Sequence, residues 1–466
     1  MSPVLNRYQD VLVYSGLAAT SLYVGLLVAR NQQAMGMSMI ALLALAGLIL
    51  FVNLPVKVVF ASWLFLAPIF QVSADTTSAG RALTWALYIA PALLFVGLTF
   101  ARRRRVLAFS PLDWLPAAYV LYVVASIWLT STFFQTDPPL AAKAIVTLTA
   151  IGAIVYYFLT FGPGFDIPLP TIVATLLVTA CLQSVMGVLE ITSGWRLWGD
   201  VGWLAEVGGA RASATLTNPG VLGMFLGSAI VFAVAILSWK GPRRLRLLSW
   251  ITLLVATPGL FLTLTRGPIL ATAVAVVLLL VLGRSRLVGL GVLATAAVTL
   301  AFLYPTLQST AVYQERATKT ETVQIRVVLR DVSLHLAAQK PFFGWGRGKF
   351  DEAKNASELA SDSFSVYAIL ETTSHDTYLT LLVELGAIGL LLYSLPFLIL
   401  VFRSFRRRGP PRDRWLLAGS LASLLVFYLT ASTLDFRFFS FAQLIPFVFL
   451  AMLRRITADE HVVQAP

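Results

Sequence analysis

Apolar runs of roughly twenty residues follow one another along almost the whole chain, separated by short basic or turn-forming connections. A run of that length matches the rise of an α-helix through a bilayer, and lipid offers backbone polar groups no partner outside their own segment. Each run therefore predicts a membrane-spanning helix. Spans fall near residues 11–29, 34–52, 54–72, 83–101, 112–132, 140–161, 170–190, 219–238, 247–265, 268–283, 287–305, 378–402, 415–432 and 438–453. The short connections among the early runs leave the total at 12–14. A closed barrel would show short alternating strands instead. The predicted fold class is an all-α polytopic integral membrane protein.

One polar stretch, from about Thr306 to Asp376, breaks the pattern. Within it Ile325, Val328, Val332 and Leu336 recur near helical spacing, and Arg326 and Arg330 lie four apart on another face. This predicts an amphipathic helix lying over the membrane surface. Lys340-Pro341 ends it, and Gly344-Trp345-Gly346-Arg347-Gly348-Lys349-Phe350 reads as a tight glycine turn. The predicted organisation is N-terminal spans over 1–305, a large loop over 306–377, C-terminal spans over 378–453 and a tail over 454–466.

Composition agrees with this reading: 58% of residues are hydrophobic and 12% charged, with a mean hydropathy of +0.81, which excludes a soluble globular chain. The net charge of +13 does not signal a nucleic-acid partner. Its excess sits in clusters between spans: Arg102–Arg105, Lys240–Arg246, Arg284 with Arg286, Arg403–Arg414 and Arg454 with Arg455. Such clusters mark the cytoplasmic side. Alternation from there puts both termini in the cytoplasm and places loops 191–218 and 306–377 outside. The single cysteine, Cys181, lies inside an apolar run and excludes disulfides. The first apolar run lacks a signal-peptide cleavage site and reads as a span. Lys143, Glu190 and Glu384 fall near span ends, where snorkelling suffices, so no proton-relay chain is expected.

The candidate chemistry lies on the outer side. Arg211 precedes Asn218-Pro219, a good helix cap followed by proline at the first helical position. Arg266 stands in Leu264-Thr265-Arg266-Gly267-Pro268, where Pro268 again suits a helix start. Free N–H groups at helix N-termini favour anions, and a guanidinium fork grips phosphate oxygens in two places. The pair reads as a clamp for a phosphate or diphosphate. Its competing reading is two arginines snorkelling to lipid headgroups. His375, in Ser374-His375-Asp376, is the candidate acid or base, because imidazole exchanges protons near neutral pH. Its competing reading is an interfacial histidine that only bonds a neighbour. Asp376 is expected to cap the following helix. His335 and His461 read as surface residues. No His, Cys or carboxylate cluster has metal-ligand spacing, and no phosphate-binding loop suggests ATP. Neither metal nor cofactor is expected.

In order, Arg211-Ala-Ser-Ala-Thr-Leu-Thr-Asn-Pro, Leu-Thr-Arg266-Gly, Pro341-Phe-Phe-Gly-Trp-Gly and Ser-His375-Asp-Thr-Tyr-Leu-Thr-Leu-Leu-Val-Glu384-Leu-Gly-Ala-Ile-Gly389 resemble the O-antigen ligase and polymerase superfamily over about residues 170–400. The resemblance implies a GT-C-type membrane glycosyltransferase with a periplasmic active site in the bacterial inner membrane. Its donor would be a glycan on undecaprenyl diphosphate, and neither metal nor nucleotide would be required. Arg211 and Arg266 would hold the diphosphate. His375 would activate an acceptor hydroxyl for inverting attack, with Arg326, Arg330, Arg347 and Asp376 as accessory residues. One position departs from the family, which usually has Asn where this chain has Asp376; a carboxylate accepts hydrogen bonds but has no amide hydrogens to donate. The favoured activity is ligation to lipid A–core, with polymerisation of lipid-linked repeats as the alternative. A lipid or polysaccharide transporter and a non-catalytic scaffold are further alternatives.

Overall fold

The computed structural model describes residues 55–69, 106–107, 109–133, 142–197, 211–283, 285–308, 321–355, 374–406, 413–437, 439–458 and 462–463. The expected spans at 11–29, 34–52 and 83–101, and His461, lie outside the described residues. The rest is helical: α1 Val56–Leu66, α2 Leu115–Phe133, α3 Ala142–Phe161, α4 Leu169–Ser193, α5 Pro219–Ser238, α6 Arg243–Leu262 and α7 Arg266–Gly283. There follow α8 Arg286–Gln308, α9 Glu321–Gln339, α10 Phe350–Asn355, α11 Thr377–Arg406, α12 Arg414–Ala431 and α13 Ser440–Thr457. A two-residue antiparallel pair, β1 Val106–Leu107 with β2 Val462–Val463, joins distant parts of the chain. Among the described residues eight helices are long and apolar enough to cross a membrane, so this is a multi-pass membrane protein.

Helix α5 is the axis of the bundle. It is apolar on every side, and its residues from Pro219 to Leu237 are all buried, as a helix without a polar face must be. Around it pack α4, α6, α7 and α12. Where sequence gave α5 an abrupt start, the structure shows why: the Asn218 side chain accepts from the N–H groups of Gly220 (2.7 Å) and Val221 (3.2 Å).

Contacts between helix termini sort the described connections onto two ends. At one end, Asp113 before α2, Tyr156 late in α3 and Arg454 late in α13 meet. Asp113 is fully buried, pairs with Arg454 at 2.9 Å and accepts from the Tyr156 hydroxyl at 2.5 Å. Arg455 donates to the carbonyls of Phe165 and Ile167, both at 2.8 Å. These two arginines are thus structural ties as well as members of a basic cluster. The described basic clusters share this end. Arg211, Arg266 and His375 belong to the other.

Helix α9 forms within the polar stretch and buries Leu329, Val332, Ser333, Leu336 and Ala337, while Arg326, Arg330 and His335 stay exposed. The observed apolar face overlaps the predicted one at Val332 and Leu336, with Val328 packed against it. It covers α10 and the first part of α11.

Candidate functional site

Residues 211–218 do not pass over the surface. Ala212, Ser213, Thr215, Leu216 and Thr217 are buried, so the segment re-enters the bundle. Inside it, backbone groups need partners, and Glu190 supplies them. Its carboxylate accepts from Ser213 N (2.7 Å), Ala214 N (2.8 Å), Ser213 Oγ (3.0 Å) and Arg196 Nε (3.0 Å). The expectation that Glu190 snorkels at a span end is therefore corrected: it is 3% exposed and organises the loop. Deeper in α4, Gln183 Oε1 accepts from the Thr215 hydroxyl at 2.9 Å. Ala214 (φ 50°) and Thr217 (φ 56°) take left-handed backbone, which tightens the loop before the Asn218 cap.

This loop delivers Arg211 to the connection between α6 and α7. Arg211 Nε donates to Thr263 O at 3.1 Å and an η-nitrogen donates to Thr265 Oγ1 at 2.6 Å. Ala212 N donates to Leu262 O at 2.9 Å. Arg211 is therefore half-buried and braces this turn, with its η-nitrogen on Thr265, the residue before Arg266. Arg266 is exposed and opens α7 as its first residue; the helix starts two residues earlier than Pro268 predicts. Arg211 thus braces the turn that leads into Arg266.

His375 has φ 54°, a left-handed conformation uncommon outside glycine, and it is half-buried at the mouth of α11. Asp376 caps that helix as expected: Oδ1 accepts from Tyr378 N (2.8 Å) and Leu379 N (3.0 Å). The Ser374 hydroxyl lies 2.8 Å from Thr380 Oγ1 and fixes the turn from below. Burial and the nearby negative charge of Asp435 push the Asp376 carboxyl above its ordinary pKa, against the two N–H groups and the positive charge of Arg330. The charge of Arg330 on α9 is thereby felt at Asp376. Arg326, one helical turn earlier, shares its face.

A single short segment joins these pieces. Residues 433–437, between α12 and α13, touch the starts of three helices. Leu434 abuts Gly220 in the first turn of α5, where a Cβ would lie 2.4 Å from its Cδ2. Thr433 abuts Gly267 in the first turn of α7, where a Cβ would lie 2.2 Å from its hydroxyl. Thr377, first in α11, donates its hydroxyl to Leu434 O at 2.7 Å and accepts from Phe436 N at 3.1 Å. The N-termini that follow Arg211, carry Arg266 and follow His375 therefore converge on one support. Helix N-termini in such a group present N–H dipoles suited to an anion.

The glycine turn docks into the bundle, with Gly344, Gly346 and Arg347 buried. Helix α11 is broken at Gly386 (φ 65°, ψ −171°), and the freed backbone groups bond to the turn. Trp345 N donates to Val383 O (2.9 Å), Gly346 N to Glu384 O (2.8 Å), and Ala387 N to Pro341 O (2.8 Å). Arg347 N reaches Ser126 Oγ on α2 at 3.1 Å. Arg347, expected as an accessory of the clamp, is buried and pairs with Glu384 at 2.9 Å. Glu384, expected near a span end, is 1% exposed and also pairs with Arg437.

Asp435 and Arg437 were not among the candidates. One signal was available: Arg437 lies in an outer connection, against the basic bias of the inner side, with an acid two residues before it.

No curated protein matches the chain. Residues 251–394 match the family described as O-antigen ligase. That stretch contains Arg266, the turn at 341–350 and His375, and it ends within α11. From within α6 to the first part of α11 the chain is therefore similar to the O-antigen ligase family.

Proposed function

We propose that the protein is an O-antigen ligase of the bacterial inner membrane, with both termini cytoplasmic and its active site at the periplasmic end of the bundle. It would transfer a glycan from undecaprenyl diphosphate to a sugar hydroxyl of lipid A–core. The observation that supports this most directly is the convergence of three helix starts, with Arg211, Arg266 and His375, on residues 433–437. The family match over residues 251–394 supports the reaction class.

In this reading Arg211 and Arg266 hold the donor diphosphate beside helix N-termini. His375 takes the proton of the acceptor hydroxyl, whose oxygen attacks the anomeric carbon from the face opposite the diphosphate. The bond from that carbon to the diphosphate oxygen breaks, its electron pair leaves with undecaprenyl diphosphate, and configuration inverts. The arginines stabilise the charge that develops on the departing oxygen. Arg330, whose charge acts on Asp376, and Arg326 on the same helix face would meet an incoming acceptor. Residues 1–305 and 378–453 supply the spanning frame and 306–377 the periplasmic cover.

Purified protein given undecaprenyl-diphosphate-linked glycan, with and without lipid A–core, tests the reading. Transfer that requires lipid A–core establishes the ligase. Lengthening of the lipid-linked glycan without that acceptor establishes the polymerase. His375→Ala should abolish release of undecaprenyl diphosphate while protein yield stays normal; retention of wild-type release rejects the catalytic assignment.

A further inference from the structure

Four charges are buried between the support segment and the break in α11. Arg437 is 5% exposed; its Nε lies 2.7 Å and one η-nitrogen 2.6 Å from Asp435 Oδ2. Its other η-nitrogen pairs with Glu384 Oε1. Glu384 gives its second oxygen to Arg347 at 2.9 Å and accepts from Phe350 N at 3.3 Å. Two guanidinium groups thus balance two carboxylates. Burying such a group costs as much desolvation as it returns in attraction, and well-packed apolar residues often replace it without loss of stability. Its use must be sought in geometry.

The geometry is specific. Asp435 and Arg437 belong to the segment whose residues Thr433, Leu434 and Phe436 abut the starts of α5, α7 and α11. Glu384 lies in α11 itself, nine residues after His375, about 13 Å along the helix. It sits where the turn at 344–350 docks. Arg437 is the only described link between this segment and the interior of α11 that uses charge. A guanidinium fork fixes both distance and angle, which an ammonium cannot.

We propose that Arg437, acting through Glu384 and Asp435, is a positioning residue that sets the separation of His375 from Arg211 and Arg266. The proposal rests on the glycosyltransferase reading of those three residues. Proton transfer and attack demand alignment within a fraction of an ångström, and a displacement of about 1 Å costs on the order of 100-fold in rate. Binding of a diphosphate by two long arginines tolerates such a shift.

The test measures release of undecaprenyl diphosphate from undecaprenyl-diphosphate-linked glycan, with lipid A–core and the lipid-linked glycan each offered as acceptor. The double variant Asp435→Asn/Arg437→Met removes one charge of each sign and leaves Arg347 paired with Glu384. Arg437→Lys keeps the charge and loses the fork. Both should lower kcat by roughly 10–100-fold with donor KM changed by less than about threefold. A wild-type kcat in either, or a raised KM at unchanged kcat, overturns the proposal. Should the double variant not be recovered from membranes, Arg437→Lys decides alone. His375→Ala is run beside them. If it retains release, the reading of the site fails; if it abolishes release while Arg437→Lys is wild type, only the positioning role fails.

Discussion

Gly386→Ala should undock the glycine turn from the bundle. Gly386 has φ 65° and ψ −171°, a region open almost solely to glycine, and forcing another residue there costs about 1–3 kcal/mol. A Cβ at that position would also lie 2.2 Å from the carbonyl oxygen of Phe342, a backbone atom that cannot swing away. Relief requires the turn to separate, which gives up the bonds of Trp345 N, Gly346 N, Ala387 N and Ile388 N. At about 1 kcal/mol net for each, those four bonds contribute about 4 kcal/mol to docking. Strain of about 2 kcal/mol alone would raise the open population about thirtyfold. Hydrogen–deuterium exchange of the peptide containing Trp345 and Gly346, in detergent or nanodiscs, reads this directly. Exchange there should quicken by at least tenfold, while peptides from α5 stay protected. Gly289→Ala serves as control: it lies within α8 and the nearest atom to its Cβ is 3.7 Å away. Unchanged protection at Trp345 in Gly386→Ala would refute the claim that the broken helix and the turn hold each other.

Four further outcomes are expected. Glu190→Ala strips the buried partner from Ser213 N, Ala214 N and Arg196, so thermal unfolding should show a loss of about 3–5 kcal/mol, with Glu190→Gln recovering part. Asp376→Asn keeps the cap through its amide oxygen, whereas Asp376→Ala loses about 1 kcal/mol of helix stability. The folded pKa of Asp376 is raised, so its charged form carries a penalty above that pKa which is relieved as pH falls towards the unfolded value; the melting temperature of the wild type relative to Asp376→Asn should therefore rise on acidification. Asp113→Ala leaves Arg454 buried without its carboxylate and should cost about 3–5 kcal/mol, and a double-mutant cycle with Arg454→Met should return a large coupling energy.

Much of the frame was legible because lipid permits so few solutions. The run at 219–238 marks α5 to the residue, and the runs at 170–190, 287–305 and 415–432 locate α4, α8 and α12 within a few positions. Asn218 and Asp376 were readable as caps from residue type and place alone. The interior polar ties were not. Glu190 and Glu384 fall at the ends of apolar runs, where sequence cannot tell a side chain that leans to water from one that folds inward to satisfy a re-entrant loop. The break at Gly386 sits in an unbroken apolar run, so nothing in periodicity reveals it; only the docked backbone at 341–346 makes a gap in the hydrogen-bond ladder tolerable. Arg347 was expected only as an accessory of the clamp, because the paired acid that draws it inward is 37 residues away.

The tie between Asp113 and Arg454 spans 341 residues of chain. At a synthesis rate of about 5–20 residues per second, Asp113 enters the membrane roughly 20–70 s before its partner has been made. During that interval it has the Tyr156 hydroxyl and the cap at Ser110, but no countercharge from Arg454. The electrostatic balance around Asp113 is thus completed only when α13 is in place. A chain lacking α13 would bury that acid without its arginine.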